Sequence, residues 1–469
     1  MRPAVSSEQN EASTAGGERE TLVGEKERLK ERQHELNSSI GRAKKEGRDP
    51  AQLIEENRDV SRRIKEIAGA LAEEEEDRSG RAEDTLTTDV LTTTEAFRDL
   101  RSEWTDLMSR ANVYSPFMMW EWLYPWWEYY GQNKQLRLIT VRDAQGRLVG
   151  LAPMMLGFTE NGKCDRRILA FVGSGEEGPR GQYFTFVVEP ELQEPVLGAM
   201  VSCLWEMSSD WQLIRLWRVR KDEAYRHVLC PLTDSEGMAV ILERHGVAVH
   251  GPLPSSMTDF IDAVPNANKR SYLRHQEKKL NARYATVRHE VCENSEDLPY
   301  FLRTIHELNT RRHRAKGGDS AWLAPGMRSC FHETARFLFE VNALRAHLLY
   351  LDRQPVAGRI ALLQNGTCFV FESGLAPDFA RDRVGVVLLA RFIEDCIDIG
   401  VTHFDWLSSH DYMYQYFCSE HTLLDLTVFE KAGGNLARVG SRLWLRGMKD
   451  SFKRTIRWPA LRRFFGGAG

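Results

Sequence analysis

Residues 344–363 read LRAHLLYLDRQPVAGRIALL. The apolar alternation on either side of a polar centre makes this a strand, a turn and a strand, with Leu351-Asp352 entering the turn. Residues 136–156, LRLITVRDAQGRLVGLAPMML, repeat that layout, with Arg142-Asp143 in the matching place. Working outward, each hairpin is followed by a further strand, a helix and another strand. The first copy has these at residues 167–173, 192–207 and 211–219. The second has them at residues 367–374, 385–399 and 402–408. Two copies of a ββ–β–α–β unit predict an α/β (α+β) fold built as two similar lobes with mixed sheets. The proline-rich stretch 252–265 marks their boundary, giving a first lobe at 95–255 and a second at 256–435.

The bulk numbers agree with several domains. A chain of 469 residues is too long for one ordinary core. Hydrophobic residues at 42% and charged residues at 28% are an ordinary soluble composition, and a net charge of −4 excludes a wholesale nucleic-acid coat. No apolar run reaches the roughly 18 residues a membrane span needs, and the polar first 20 residues lack the apolar core of a secretory signal. The expected location is cytoplasmic. Eight cysteines are scattered without a CxxC pair, and no HExxH or comparable cluster occurs, so buried thiols and no metal are expected.

Three flanking segments have their own character. Residues 1–17 are small and polar, the composition of a disordered leader. Residues 18–76 carry two runs of heptad spacing: Leu22, Lys26, Leu29, Gln33, Leu36, Ile40 and Ala43, then Leu53, Asn57, Val60, Ile64, Ile67 and Leu71. Gly47, Asp49 and Pro50 separate them as a turn, an N-cap and a first helical residue, which predicts an antiparallel coiled-coil hairpin. Residues 77–94 read as a linker. At the other end, residues 436–469 hold nine Lys or Arg residues against Asp450 alone. Leu445, Met448, Phe452 and Ile456 fall on one helical face, with Trp444, Trp458, Phe464 and Phe465 beside them. That pattern suits either an anionic membrane surface or a helix packed on the second lobe.

Further along, the motifs resemble a known family. SPFMMWEWLYPWWEYYG (115–131) with GRLVGLAPMML (146–156), NKRSYLRHQEKKL (268–280), and GLAPDFARDRVGVVLLARFIEDCIDIGVTHFDWLSSHDYMYQYF (374–417) are similar, in order, to the CelD/BioF2-like acetyltransferases. The resemblance runs from Glu95 to Leu436. It implies a tandem GNAT arrangement related to the Fem-type transferases, with acetyl-CoA or another acyl-CoA as donor. The chain departs from the family where Gly-Asp and Tyr-Lys are usual: it has Ser408-Ser409-His410-Asp411 and Tyr412-Met413. Separately, LKERQHELNSSIGRAKKEGRDPAQLIEENRDVSRRIKEIAGAL (29–71) resembles the tRNA-binding helical arm of seryl-tRNA synthetases. A dimerisation or spacer hairpin explains the same residues.

In a GNAT lobe the donor's pyrophosphate rests on amides at a helix N-terminus, where the dipole favours an anion. The matching place here is Arg381, Arg383, Val384, Gly385, Val386 and Val387; a capped helix start with solvated arginines is the alternative. Acyl transfer also needs a base and an acid. Tyr412, Tyr414 and Tyr416 are acid candidates, with Tyr412 favoured. Glu372, Asp405 and His410 are base candidates. Asp405 could instead form a structural ion pair with Arg359. Lys269, Arg270 and Arg274 lie on one expected helix and could bind an anionic donor or a sugar phosphate. A second basic cluster, residues 311–316, is expected in a loop near Trp322.

The resulting expectation is an N- or O-acyltransferase of GNAT type using acyl-CoA on a small-molecule or saccharide acceptor, in exopolysaccharide or envelope biosynthesis. The partners to consider are tRNA at the hairpin, an anionic inner-membrane surface at the tail, and a second copy of the chain. Two other readings stay open: an aminoacyl-tRNA-dependent Fem-like transferase, and a non-catalytic binding or scaffold protein.

Overall fold

The computed structural model describes residues 24–26, 28–40, 49–83, 86–160, 163–229 and 238–430. The chain divides into two compact units, Met1–Thr85 and Leu86–Gly469.

In the first unit, residues 28–40 form helix α1 and Ala51–Glu83 form α2. Gln33 Nε2 donates to Ser61 Oγ at 2.7 Å, and Asn57 Nδ2 to Asn37 Oδ1 at 3.0 Å. Arg63 pairs with Glu25 at 2.9 Å and Arg32 with Glu56 at 2.8 Å. Early residues of one helix thus meet late residues of the other, an antiparallel pair, and Leu36 and Ile67 are buried. Asp49 Oδ1 accepts from the Ala51 amide at 2.9 Å, capping α2. The turn around Gly47, the leader 1–17 and the tail 436–469 lie outside the described residues.

Residues 77–94 contain the division between the two units and carry secondary structure on either side of it. Helix α2 runs on to Glu83. The β-branched Thr87–Leu91 then forms strand β1, which pairs antiparallel with β2 (Gln135–Arg142).

The second unit continues through α3 (Thr94–Asp99), α4 (Arg101–Arg110) and α5 (Trp120–Tyr130), then β3 (Leu148–Glu160), β4 (Lys163–Phe171) and β5 (Val187–Val188). Next come α6 (Gln193–Glu206), β6 (Leu213–Arg220), β7 (Met238–Pro252), α7 (Met257–Ala263), α8 (Ala267–Asn281) and β8 (Val287–Val291). The remainder is α9 (Leu298–Arg314), α10 (Met327–Glu340), β9 (Leu344–Leu351), β10 (Gln354–Gln364), β11 (Thr367–Leu375), α11 (Val384–Asp398), β12 (His403–Asp405) and β13 (Ser419–Glu430). The fold is mixed α/β. The basic residues 311–314 sit on the last turn of α9 rather than in a loop, since that helix outlasts its apolar stripe.

Among the described residues one sheet holds all the strands, in the order β1-β2-β3-β4-β6-β13-β7-β12-β11-β10-β9-β8, with β5 on β3. Only β4/β6 and β11/β12 are parallel, each over three residues. The ββ–β–α–β repeat is therefore present twice: β2-β3-β4-α6-β6 and β9-β10-β11-α11-β12. The final strand of each half is exchanged. β7 follows β6 in the chain but pairs with β12, while β13 follows β12 but pairs with β6. β7 and β13 pair with each other along twelve residues of β13.

Helices cover both faces of the second half. A Cβ on Gly358 would meet Ile305 of α9, whereas the neighbouring Arg359 packs on Phe392 of α11. Successive strand residues face opposite ways, so α9 and α11 lie on opposite faces. Gly374 lets α9 approach β11: a Cβ there would fall 2.5 Å from the Ile305 carbonyl oxygen and 2.8 Å from the Asn309 amide. The core includes Trp104, Trp122, Trp126, Phe331 and Leu348 in one cluster. A second cluster joins Phe260, Phe392, Phe404, Trp406 and Phe417.

Candidate active site

β11 and β12 pair only at residues 367–369 and 403–405. Beyond Phe369, β11 continues without a hydrogen-bonded neighbour on that side. A cleft of about 320 Å³ opens there, walled by residues 370–373 of β11, by Trp406, His410 and Tyr412 after β12, and by the end of α9. The pairing of β10 with β11 slips at this point: Ile360 faces Glu372 while Ala361 faces Val370. Phe371 is the extra residue of a β-bulge, a device that re-aims side chains next to it.

Glu372 is the cleft's carboxylate. Its oxygens accept from Asn309 Nδ2 at 2.6 Å, Trp322 Nε1 at 2.6 Å and its neighbour's amide, Ser373 N, at 2.8 Å. Asn309 is held in turn by Ser320 Oγ at 2.6 Å. Burial pushes the Glu372 pKa up, against the pull of those donors. A carboxylate raised toward neutrality yet held in place is suited to proton abstraction.

Opposite, the Tyr412 ring is 42% exposed, stacks beside His410 with centroids 6.0 Å apart, and meets the edge of Trp406 at 5.8 Å. The two other tyrosines point elsewhere. Tyr414 is exposed and hydrogen-bonds Glu420. Tyr416 is buried behind Trp406, and burial raises its pKa. The cleft therefore gathers Glu372, His410 and Tyr412 from the sequence candidates.

Asp405 stands apart from the cleft, and its partner is not Arg359. It is fully buried, accepting from Tyr114 Oη and Tyr183 Oη at 2.9 Å each and from the Leu407 amide at 2.7 Å. Burial pushes its pKa up to about 6. The tyrosines come from the first half of the unit, 291 and 222 residues away, a distance at which spacing carries no information. Arg359 faces the α11 side and is 6% exposed. Its Nε donates to Ser373 Oγ at 3.3 Å, its guanidinium lies 5.0 Å from Phe392 and 5.3 Å from Trp406, and Nη1 has no partner.

The expected donor turn directly follows β11. Arg383 adopts φ 51° and caps α11, and its guanidinium lies 4.3 Å from the Tyr272 ring centroid. Arg381 is exposed, and Val384 and Val387 are buried. A Cβ on Gly385 would sit 3.3 Å from Leu375, so this glycine seats the helix start against the strand. Val386 N donates to Arg383 O at 2.9 Å; the other first-turn amides have no partner inside the helix. Arg270 caps the carbonyls of Val264 and Pro265, and Arg274 pairs with Asp262. Neither these nor Lys269 lines the cleft. Among the described residues no group of His, Cys, Asp or Glu could hold a metal, and no helix is long and apolar enough to cross a membrane.

In the first half, the space beside the end of β4 is occupied among the described residues. The chain after β4 turns inward, the Tyr183 amide donates to Arg218 O at 2.8 Å, and Tyr183, Phe184 and Phe186 are buried there.

Residues 267–416 match the acetyltransferase (GNAT) domain family. No curated protein matches the chain. Among solved structures, FemX is 11% identical over 75% of this chain and 99% of its own, with a TM-score of 0.51, and shares the fold. A protein of unknown function from Bacteroides thetaiotaomicron is 12% identical over 73% of this chain and all of its own, at a TM-score of 0.45. A tandem GNAT protein from the clavulanic acid biosynthesis pathway is 10% identical over 74% of this chain and 99% of its own, at 0.41. Residues 267–416, in the second half of the folded unit, are thus similar to the acetyltransferase (GNAT) domain family.

Proposed function

We propose that the protein is an acyl-CoA-dependent N- or O-acyltransferase whose reaction centre is the cleft between β11 and β12. The observation that carries this reading is Glu372, half-buried, held by two side-chain donors, and set across the cleft from Tyr412 and His410. Bound acyl-CoA would supply the activated thioester. Glu372 takes the proton from the acceptor's amine or hydroxyl, and Tyr412 Oη holds a proton for the leaving sulfur. Unpartnered first-turn amides of α11, with Arg381 and Arg383 beside them, suit the donor's pyrophosphate. A saccharide acceptor and a place in exopolysaccharide or envelope biosynthesis follow from the family resemblance.

Calorimetry with acetyl-CoA on the full chain tests the donor site. Gly385→Asp, which adds a negative charge at the helix start, should abolish binding. Gly385→Ala should retain it, because its Cβ meets only the flexible end of Leu375. Glu372→Gln should lower kcat by roughly 10²- to 10⁴-fold, the usual worth of a general base, with acetyl-CoA affinity kept. Unchanged affinity in Gly385→Asp would overturn the donor site, and full activity in Glu372→Gln would overturn the base.

A further inference from the structure

We propose that the acceptor carries a compact anionic group, a phosphate or a carboxylate, bound by Arg312 and Lys316 on the α9 side of the cleft. This rests on the reading of the cleft as an acyl-transfer site and names the class of molecule that enters it.

Arg312 is half-buried on the last turn of α9, and Lys316 follows four residues later, just past the helix end. The chain continues helically enough for the Lys316 amide to donate to His313 O at 2.9 Å. Residues four apart on such a turn share a face, and both of these line the cleft. Among the described residues neither forms an ion pair. The adjacent Arg311 differs: it is engaged with Asp378 at 2.8 Å.

The cleft wall contains one carboxylate, Glu372, which accepts from three donors and also feels the charge of Arg312, leaving Lys316 without an acidic partner in the wall. Behind Trp406 and Ser373, both of them wall residues, lies Arg359. It is a buried guanidinium that forms no ion pair among the described residues and has an unpartnered Nη1. A buried charge without a counter-charge is costly to keep. Its field acts through a poorly polarisable wall, where screening is weak. Two positive side chains therefore line, and a third backs, a space that offers one occupied carboxylate, and an anionic ligand completes the balance.

The two faces of the sheet decide which substrate holds that anion. The expected donor turn belongs to α11, while Arg312 and Lys316 extend from α9 on the opposite face. A donor whose phosphates rest on α11 reaches Glu372 from one side of the gap between the strands. The anion held by Arg312 and Lys316 then belongs to the molecule arriving from the other side, the acceptor.

The test compares amine acceptors that differ only in charge, with acetyl-CoA as donor and the full chain as enzyme. Glucosamine 6-phosphate against glucosamine reads a phosphate, and β-alanine against β-alaninamide reads a carboxylate. At least one anionic member should exceed its neutral partner tenfold or more in kcat/KM, mainly through KM, and the pair that responds identifies the group. Arg312→Ala/Lys316→Ala should remove that preference. Neutral members used as well as charged ones, or a preference that survives the double substitution, would overturn the inference while leaving acyl transfer in place. Calorimetry of glucosamine 6-phosphate and of β-alanine without acyl-CoA reads the anion site independently of the donor. Binding weakened tenfold or more by the double substitution sustains it even where acetyl-CoA fails to bind. Absence of binding by both probes overturns it.

Discussion

His306 offers a direct test of how the core beneath the cleft is built. Its ring is fully buried on α9, and neither nitrogen has a hydrogen-bond partner. It stacks on Trp322 with centroids 4.0 Å apart and planes at 21°, with His332 at 5.6 Å and Phe331 at 5.8 Å. Burial, reinforced by His332 and Arg328, pushes its pKa down to about 3. An unfolded imidazole titrates near 6.5. Between those values the unfolded chain binds a proton that the native chain refuses. The stability is therefore complete above pH 6.5 and is lost progressively as pH falls toward 3. From pH 7 to pH 5 this linkage amounts to about 2 kcal/mol. His306→Phe keeps a flat ring against Trp322 and removes the proton. Urea unfolding of the full chain at both pH values should show the variant losing about 2 kcal/mol less than the natural protein. An identical pH dependence in the two would refute the argument. Trp322 also holds Glu372, so loss of the stack on acidification should disturb the candidate base as well.

Two other substitutions probe the remaining polar groups. Asp405 has a carboxyl raised to about 6, so the native state holds its proton more tightly than the unfolded chain, and its contribution falls as pH rises from about 4 to about 6. Relative to Asp405→Asn, the natural protein should be favoured by about 1 kcal/mol more at pH 5 than at pH 7.5, and equal differences at both would refute this. Tyr412→Phe should lower kcat on a working acceptor while Tyr414→Phe leaves it unchanged, because only the first ring lines the cleft; the reverse result would move the acid to the other tyrosine.

The repeated ββ–β–α–β unit was legible because it depends on local alternation, and each hairpin, helix and central strand falls close to where the pattern places it. What the pattern could not show was partner choice among distant strands. β7 and β13 look like ordinary terminal strands, and only packing decides that each joins the other half. The same limit applies to Asp405: Tyr114 and Tyr183, which hold it, come from segments far away in the chain. Glu372 was recognisable as a carboxylate on a central strand, yet the bulge at Phe371 that sets its direction leaves no mark in composition. Asn309, Trp322 and Ser320 were missed as its supports because a helix and a loop bring them to the strand. The basic run 311–316 was visible, and its charge density was the signal; its place on a helix end was hidden by the polar residues that carry it.

These long-range contacts tie the first half of the fold to the cleft of the second. The wall opposite Glu372 is a loop that leaves β12 at Asp405 and has little regular structure of its own. Leu407 takes φ 53°, an uncommon conformation for a branched side chain, and its carbonyl accepts from Gln182 Nε2 at 3.1 Å. Ser408 O accepts from the Val249 amide of β7 at 2.9 Å, and the Trp406 amide donates to Val249 O at 2.9 Å. Asp405 itself is fixed by Tyr114 and Tyr183. Every one of these anchors belongs to the first half or to its exchanged strand. Their combined effect is to hold Trp406, His410 and Tyr412 at a set distance from β11, the placement that acid–base chemistry depends on. The first half thus serves as the frame on which the second half's cleft is held open.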